Sequence, residues 1–449
     1  MHCKFKFSLM LLVTLGLFFS VGVPIWATDI GWETGADSNL SQSGDVRQPA
    51  LAASHDGEIA AAWAGISETK KIFLAYGNPV TQTRLTLNGT STIDDVWAPA
   101  LAYTGTQLLA AWVEGDYSEP VGTLYQQDIG AGESPRALLA DVYGYTAPRL
   151  QAVVNGQHLI IAAAKNSNDF SKCDLYHIYR PPGQATWLTP TQIITRSQVV
   201  SSGIGGIWYP DMALTPDGET MYLAWEQTID NRRSVWFTAG SWQDETQQFD
   251  WEVPIRLSLE GIKAVRPKIT CSTSGDVHVA WVEQVSWSDP EDPGKTATLQ
   301  YINYRRLSAN AEWTPTLDQQ ARRLDPDHVQ VNTYRPTWST ISLVSNGNSI
   351  CATWHGYRAE PLESGNEEIF MNCSHNRGLT WSDLIINVSE TPEHLSLFPA
   401  MSFDGTALHI AWEEYQGGGD YRFNYDTFYR VGALPTTQKL IYLPLVLKG

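Results

Sequence analysis

Residues 266–284 read RPKITCSTSGDVHVAWVEQ: a proline, an apolar run, a tight glycine turn, and a second apolar run ending on Ala-Trp. The same order recurs along the chain. It is clear in 47–65 (RQPALAASHDGEIAAAWAG), 97–115 (WAPALAYTGTQLLAAWVEG), 209–227 (YPDMALTPDGETMYLAWEQ) and 398–415 (FPAMSFDGTALHIAWEEY), and weaker in 147–165 and 335–356. Long amphipathic helical periodicity is absent, so the runs read as strands and the recurrence as one copied supersecondary unit. The proline anchors are Pro49, Pro99, Pro148, Pro210, Pro267, Pro336 and Pro399, spaced 49 to 69 residues apart, which gives seven units.

Each unit continues into a third strand rich in Tyr, Phe and Ile (KIFLAYG, TLQYINYRRL, EEIFMNCS) and usually a fourth, such as TRLTLNG or LIINVS. Four short antiparallel strands that cannot cover their own faces make a β-propeller blade. The expected fold is therefore all-β, a single seven-bladed β-propeller over residues 28–432. The last unit ends near Val431 without an obvious fourth strand, while the early stretch GWETGADSNLSQSGDVRQP matches the fourth-strand passage WSDLIINVSETPEHLSLFP. Residues 30–41 are thus expected to complete the last blade and close the ring, removing exposed edges.

The composition suits a large core, with 43% hydrophobic and 17% charged residues and Trp 18, Tyr 19 and Phe 13. Lys4 and Lys6 precede an apolar run ending at VPIWA, so residues 1–27 read as a secretory signal peptide. The formal charge of −18 becomes −20 without it, since both lysines leave and no acid does. Such a surface repels nucleic acid and anionic membranes, and the expectation is a monomer outside the cytoplasm with no membrane span in the mature chain. Residues 433–449 form a linker and a short apolar tail, ALPTTQKLIYLPLVLKG, too short for a bilayer. That tail resembles those ending many secreted proteins of some bacterial lineages, which implies sorting or surface retention; the alternative is a strand packed on the outside. Of the mature chain's cysteines, Cys351 and Cys373 fall on adjacent strands and are able to pair, although small buried thiols are the expectation.

In such a blade the residues just before each Pro share a rim with those just after each Ala-Trp. The turns at Asp56-Gly57, Asn155-Gly156, Asp217-Gly218, Asn346-Gly347 and Asp404-Gly405 lie on the other side. Two residues before each Pro stand Arg47, Trp97, Thr146, Trp208, Val265, Tyr334 and Leu397, a ring suited to stacking on sugar faces and pairing with a carboxylate. Arg266 and Arg335 are one residue nearer their Pro, and alternation turns them to the opposite face from Arg47. After Ala-Trp come Glu114, Glu226, Glu283, Glu413 and Glu414, either solvated strand ends or paired carboxylates for glycoside hydrolysis. Glu226 and Glu283, with Tyr334, are the catalytic candidates, and Arg47, Trp97, Trp208, Tyr334, Arg335 and Arg266 the ligand-binding ones. No cofactor is expected. Asp289, Glu291 and Asp292 are potential Ca²⁺ ligands in a long loop without a complete pattern.

Residues 374–383 read SHNRGLTWSD, and Ser374, Asn376, Gly378, Thr380 and Trp381 resemble the Asp-box S-x-D-x-G-x-T-W of the sialidase superfamily, with Asn376 in place of Asp. The segment falls between the third and fourth strands of unit six, away from the pre-Pro rim, so its role is a turn. Across the mature chain the units also look like the bacterial-neuraminidase repeats of that superfamily. VRQPAL at 46–51 is similar to the family's F/Y-R-I-P motif, which implies a carboxylate-binding role for Arg47. Catalytic sialidases have six blades, the alternative to seven here. In AGISETKKIFLAY the only acid is Glu68, where the family carries Asp. Three functions follow: a secreted sialidase-like propeller whose rim binds glycans or surface proteins, an exo-acting sialidase-like glycoside hydrolase, or a structural assembly propeller.

Overall fold

The computed structural model describes residues 31–32, 38–41, 46–65, 71–77, 83–87, 95–116, 121–143, 147–163, 173–194, 206–229, 232–288, 296–308, 321–325, 330–331, 340–356, 366–417 and 424–433. Their regular elements are all strands, paired antiparallel. None is a helix able to cross a membrane. In unit five, Lys263–Cys271 pairs with Val277–Ser288, which pairs with Thr296–Leu307, and short segments at Arg322–Arg323 and Gln330–Val331 line the outer edge. The same meander recurs from unit to unit. Units two and three join in one eight-stranded sheet through a bridge between Val142 and Ala163.

In unit seven the strands Ser396–Phe403, Ala407–Tyr415 and Tyr425–Ala433 pair in order. Its outer position is taken by Gly31–Trp32 and Ser38–Asn39, with Gly31 opposite Ala433 and Ser38 opposite Tyr429. Ser41 Oγ and Asn39 Nδ2 add hydrogen bonds to the Asp426 carboxylate at 2.7 and 2.6 Å. Residues far apart in sequence thus share one sheet, and an edge that would template aggregation is covered.

The Ala-Trp signal reports the packing between units. Trp63, Trp112, Trp225, Trp281, Trp354 and Trp412 are at most 2% exposed. Each lies among residues of the preceding unit: Trp281 with Tyr222, Val235 and Phe237, and Trp112 with Ala60, Ile72 and Leu74. Alanines at the facing positions leave room for the indole. Large against small across an interface is how such layers reach interior density.

The prolines mark a backbone device that alternation alone does not predict. In units one, two, four, five and seven the residue before Pro has positive φ: Gln48 57°, Ala98 50°, Tyr209 45°, Arg266 51° and Phe398 51°. The ladder slips there by one residue, for example between Arg47, opposite Ala64, and Ala50, opposite Ala62. This is a β-bulge, a place where a strand tolerates proline, and it costs a left-handed conformation at a residue with a Cβ. In unit five the same slip falls between Val265, opposite Val282, and Lys268, opposite Ala280.

A correction concerns the cysteines. Cys351 and Cys373 are direct cross-strand partners in unit six and form a disulfide, with Cα atoms 4.2 Å apart. Cys173 and Cys271 lie outside this disulfide.

Candidate functional site

The ladder brings the pre-Pro residues beside those that follow Trp: Trp208 faces Glu226, Leu397 faces Glu413, and Arg47 faces Ala64. The acids at this rim then divide by parity, since successive side chains in a strand take opposite faces. Two residues after Trp, the side chain returns to the indole's own face. Trp112 donates Nε1–H to Glu114 at 2.8 Å, Trp281 to Glu283 at 2.9 Å, Trp412 to Glu414 at 3.1 Å, and Trp225 to Gln227 at 3.3 Å. These are buried acceptors for a buried indole.

One residue after Trp, the side chain reaches the next unit's bulge. Glu226 accepts the backbone N–H of Arg266 at 3.2 Å and pairs with Arg233 at 2.9 Å. Glu413 accepts the N–H of Gln48 and pairs with Arg47 at 3.1 Å, joining unit seven to unit one. His355 holds the same position in unit six, its Nδ1 3.1 Å from the N–H of Phe398. Unit one has only Ala64 there, and Gln48 supplies the missing acceptor, its Oε1 taking the N–H of Ala98 at 2.6 Å. A bulge exposes an unpaired N–H, and each of these contacts satisfies one.

Both Glu226 and Glu413 are fully buried. Burial raises the Glu413 carboxyl to about 7 against the opposing pull of Arg47 and the Gln48 N–H. Burial likewise raises Glu226, with Arg233 and the Arg266 N–H opposing. Glu283 is also raised by burial, opposed by the Trp281 N–H and Arg323. A carboxyl lifted toward neutrality in this way is equipped to hold and deliver a proton.

The sequence candidates take different places in this scheme. Arg47 reaches the rim, but its guanidinium engages Glu413 and lies 4.1 Å from the Tyr425 ring centroid. Trp97 is 6% exposed and packs with Leu109, Leu159 and Ile161 between units two and three, so it offers little face to a ligand. Val265 and Leu397 are buried as well. Trp208 and Tyr209 remain partly exposed, and the Arg266 guanidinium lies 5.2 Å over the Tyr209 ring. Glu226 and Glu283 answer to different partners on opposite faces of their strands. Tyr334, Arg335, Thr146, Glu68 and the acidic loop of Asp289, Glu291 and Asp292 lie outside the described residues.

Sequence reading passed over the residue just after each Pro. It is Ala50, Ala100 and Ala400 in units one, two and seven, but Arg149, Asp211 and Lys268 in units three, four and five. Arg149 pairs with Asp211 at 2.7 Å, and the other oxygen of that carboxylate accepts the Ile269 N–H at 3.0 Å. The contrast with alanine in equivalent copies is the signal that identifies these residues.

The Asp-box-like turn is built without an Asp. Asn376 Oδ1 accepts the Thr380 N–H at 2.9 Å, and Ser374 Oγ accepts the Gly378 N–H at 2.9 Å. Gly378 has φ 76°, and a Cβ there would run into the Tyr304 hydroxyl, so glycine is required. Trp381 meets Tyr304 edge-on at 4.8 Å, and Arg377 reaches Asp276 of the neighbouring unit at 2.7 Å. Every one of these contacts ties structure together.

Among solved structures the chain is similar to an ulvan lyase, a polysaccharide lyase bound to GlcA(1-4)Rha3S, at 11% identity and TM-score 0.54, covering 87% of this chain and 95% of that one. It also matches an α-L-arabinofuranosidase of Fusarium graminearum (10% identity, TM-score 0.46, 90% and 97% covered). A further match is a sialidase of Trypanosoma rangeli (10% identity, TM-score 0.42, 87% and 55% covered). No protein-family model and no curated protein matches the chain. At this identity the likeness concerns the fold alone, an all-β arrangement of antiparallel sheets of the propeller type.

Proposed function

We propose that this chain is a secreted, sialidase-like propeller of seven blades, closed by residues 30–41, that binds glycans or surface proteins through its pre-Pro rim. The observation that carries the reading is the partly exposed array of Trp208, Tyr209 and Arg266, aromatic faces beside a guanidinium on a rigid ring. A fold shared with a polysaccharide lyase that was solved with a saccharide agrees with a carbohydrate ligand. The pairing of Gly31–Trp32 and Ser38–Asn39 with the last unit supports the closure. A monomeric, extracytoplasmic protein needing no cofactor completes the proposal.

A second reading, an exo-acting glycoside hydrolase, is favoured by the buried rim carboxyls Glu226 and Glu413, both raised by burial. One experiment separates the two. Residues 28–449 are incubated with a mixed sialylated glycan pool, and released sugars and retained glycans are analysed by mass spectrometry. Retention without release supports the binding reading. Released monosaccharide, lost in Glu226→Gln or Glu413→Gln, establishes the hydrolase. Neither retention nor release removes glycans and leaves protein partners.

A further inference from the structure

The seam between units three and four holds a chain of polar groups. Asn155 stands in the first hairpin turn of unit three, and its Nδ2 donates to the Gly218 carbonyl, in the corresponding turn of unit four, at 2.9 Å. That bond fixes the amide, so its Oδ1 faces His158, whose Nε2 lies 3.0 Å away and carries the hydrogen. Nδ1 of a neutral His158 is then an acceptor, and the Nε2–H of His177 donates to it across 3.1 Å. His158 is fully buried and His177 4% exposed. Phe249 of unit four packs 5.6 Å from both rings, and Trp242 meets His158 edge-on at 5.8 Å.

The repeat supplies a comparison. Units five and seven carry histidine at the same strand position, His278 and His409, with tyrosine where unit three has His177. His278 Nδ1 lies 2.7 Å from the Tyr304 hydroxyl, and His409 Nδ1 2.6 Å from that of Tyr429. In unit seven the turn residue is a carboxylate, Asp404, 3.0 Å from His409 Nε2, where unit three has the neutral Asn155. A proton on His409 meets opposite charge. On the strands packed against His158 and His177, Arg180 is held by Asp128 and Gln157, and Tyr179 stacks on His158 while donating to the Asn155 carbonyl. Asp217, Glu219, Asp244, Glu245 and Asp250 of unit four are exposed, with Asp217 engaged by Thr215 and Asp244 by the Trp242 indole. Among the described residues none of these charged groups forms a hydrogen bond or ion pair with either imidazole.

We infer that the Asn155–His158–His177 chain is an acid-sensitive latch between units three and four, closed while both imidazoles are neutral and released when they take up protons. A proton on His158 Nδ1 points at the Nε2–H of His177 and breaks the hydrogen bond between the rings. A second proton leaves two cations with ring centroids 5.3 Å apart in a buried, apolar seam. Burial holds both groups neutral, His158 down to about 2, with His177 adding to the effect, and His177 down to about 3. An opened histidine takes its proton at about 6.5, so the closed seam is fully favoured above that pH. Below it, closure weakens by up to about 10-fold per imidazole for each pH unit. Glu413, raised by burial at the seam between units seven and one, acts in the other sense. Acid thus loosens one seam and tightens the other.

The test is hydrogen–deuterium exchange of residues 28–449 at pH 7.0 and pH 5.0, read by mass spectrometry and corrected for the intrinsic effect of pH on exchange. The opening equilibrium of Gly156–Ala163 and Arg232–Gln243 should rise by about 100-fold or more at the lower pH, while that of Ala407–Tyr415 does not rise. His177→Tyr, which copies units five and seven, should cut the rise by about 10-fold or more, since one imidazole is gone. Asn155→Asp, which copies the turn of unit seven, should cut it by giving His158 a counter-ion. Thermal melts at pH 7.0 confirm that the variants fold, and should His177→Tyr fail to fold, Asn155→Asp carries the test. A rise in the two segments no larger than in Ala407–Tyr415, or a full rise in both variants, overturns the latch.

Discussion

Glu413 and Glu283 lie one position apart in the repeat, and the chain uses them in opposite ways. Glu283 folds back to the indole of its own strand and settles a local hydrogen bond. Glu413 crosses to the next unit, accepts a bulge N–H and takes an arginine as counter-ion. Strand parity alone separates the two, so neighbouring carboxylates at one rim become a fastening within a unit and a fastening between units. The comparison also explains why a rim rich in acids is not a row of interchangeable catalytic candidates.

The largest effect belongs to the indole that anchors the local arrangement. Trp281→Ala removes a fully buried ring between units four and five and leaves Glu283 without its donor. A loss of about 4 kcal/mol in unfolding free energy is expected, from the cavity and the orphaned carboxyl together. Chemical denaturation measures it, and a loss below about 1 kcal/mol would show that the indole is not the anchor.

The second prediction concerns the fastening between units and its sign with pH. Glu413 titrates at about 7 in the folded chain against 4.5 for an ordinary glutamate. The folded state therefore holds this proton more tightly than the unfolded one, and the neutral form contributes stability that is complete below 4.5 and lost as pH rises through 7. The effect is on the order of 3 kcal/mol. Glu413→Gln should flatten this part of the profile, which is measured as the change in Tm between pH 5 and pH 8 for both proteins. A wild-type Tm that rises across that window with the glutamine variant unchanged would reverse the assignment.

Much of this architecture is legible in the sequence. Proline, glycine turn and Ala-Trp announced the unit, because apolar alternation and turn chemistry are written locally. The pairing of Gly31–Trp32 and Ser38–Asn39 with the last unit agrees with the resemblance of residues 30–41 to a fourth-strand passage. The bulge is not legible, because a positive φ at Arg266 or Gln48 depends on a hydrogen bond to another unit that no local pattern encodes. The parity of the acids relative to Trp, by contrast, is written locally and distinguishes Glu226 from Glu283. Arg149 and Lys268 stand after the proline, at a position that carries alanine in units one, two and seven, so the repeat pattern does not mark them as polar. The pairing of Cys351 with Cys373 depended on register, which a sequence constrains only loosely across a long loop.

The smallest effects sharpen the comparison at Glu283 itself. Glu283→Ala leaves the Trp281 N–H buried and unmatched, at a cost of about 2 kcal/mol. Glu283→Gln keeps an oxygen in reach of that N–H, and unit four already runs this experiment: Gln227 accepts the Trp225 indole at 3.3 Å. The substitution also removes a carboxyl raised by burial. The change in stability should therefore stay within about 0.5 kcal/mol at neutral pH. If glutamine proved as damaging as alanine in paired denaturation curves, the carboxylate's charge would be needed where only its oxygen is assigned a role. Glu283 would then belong with Glu413 among the groups whose ionisation matters, and parity would no longer divide the rim.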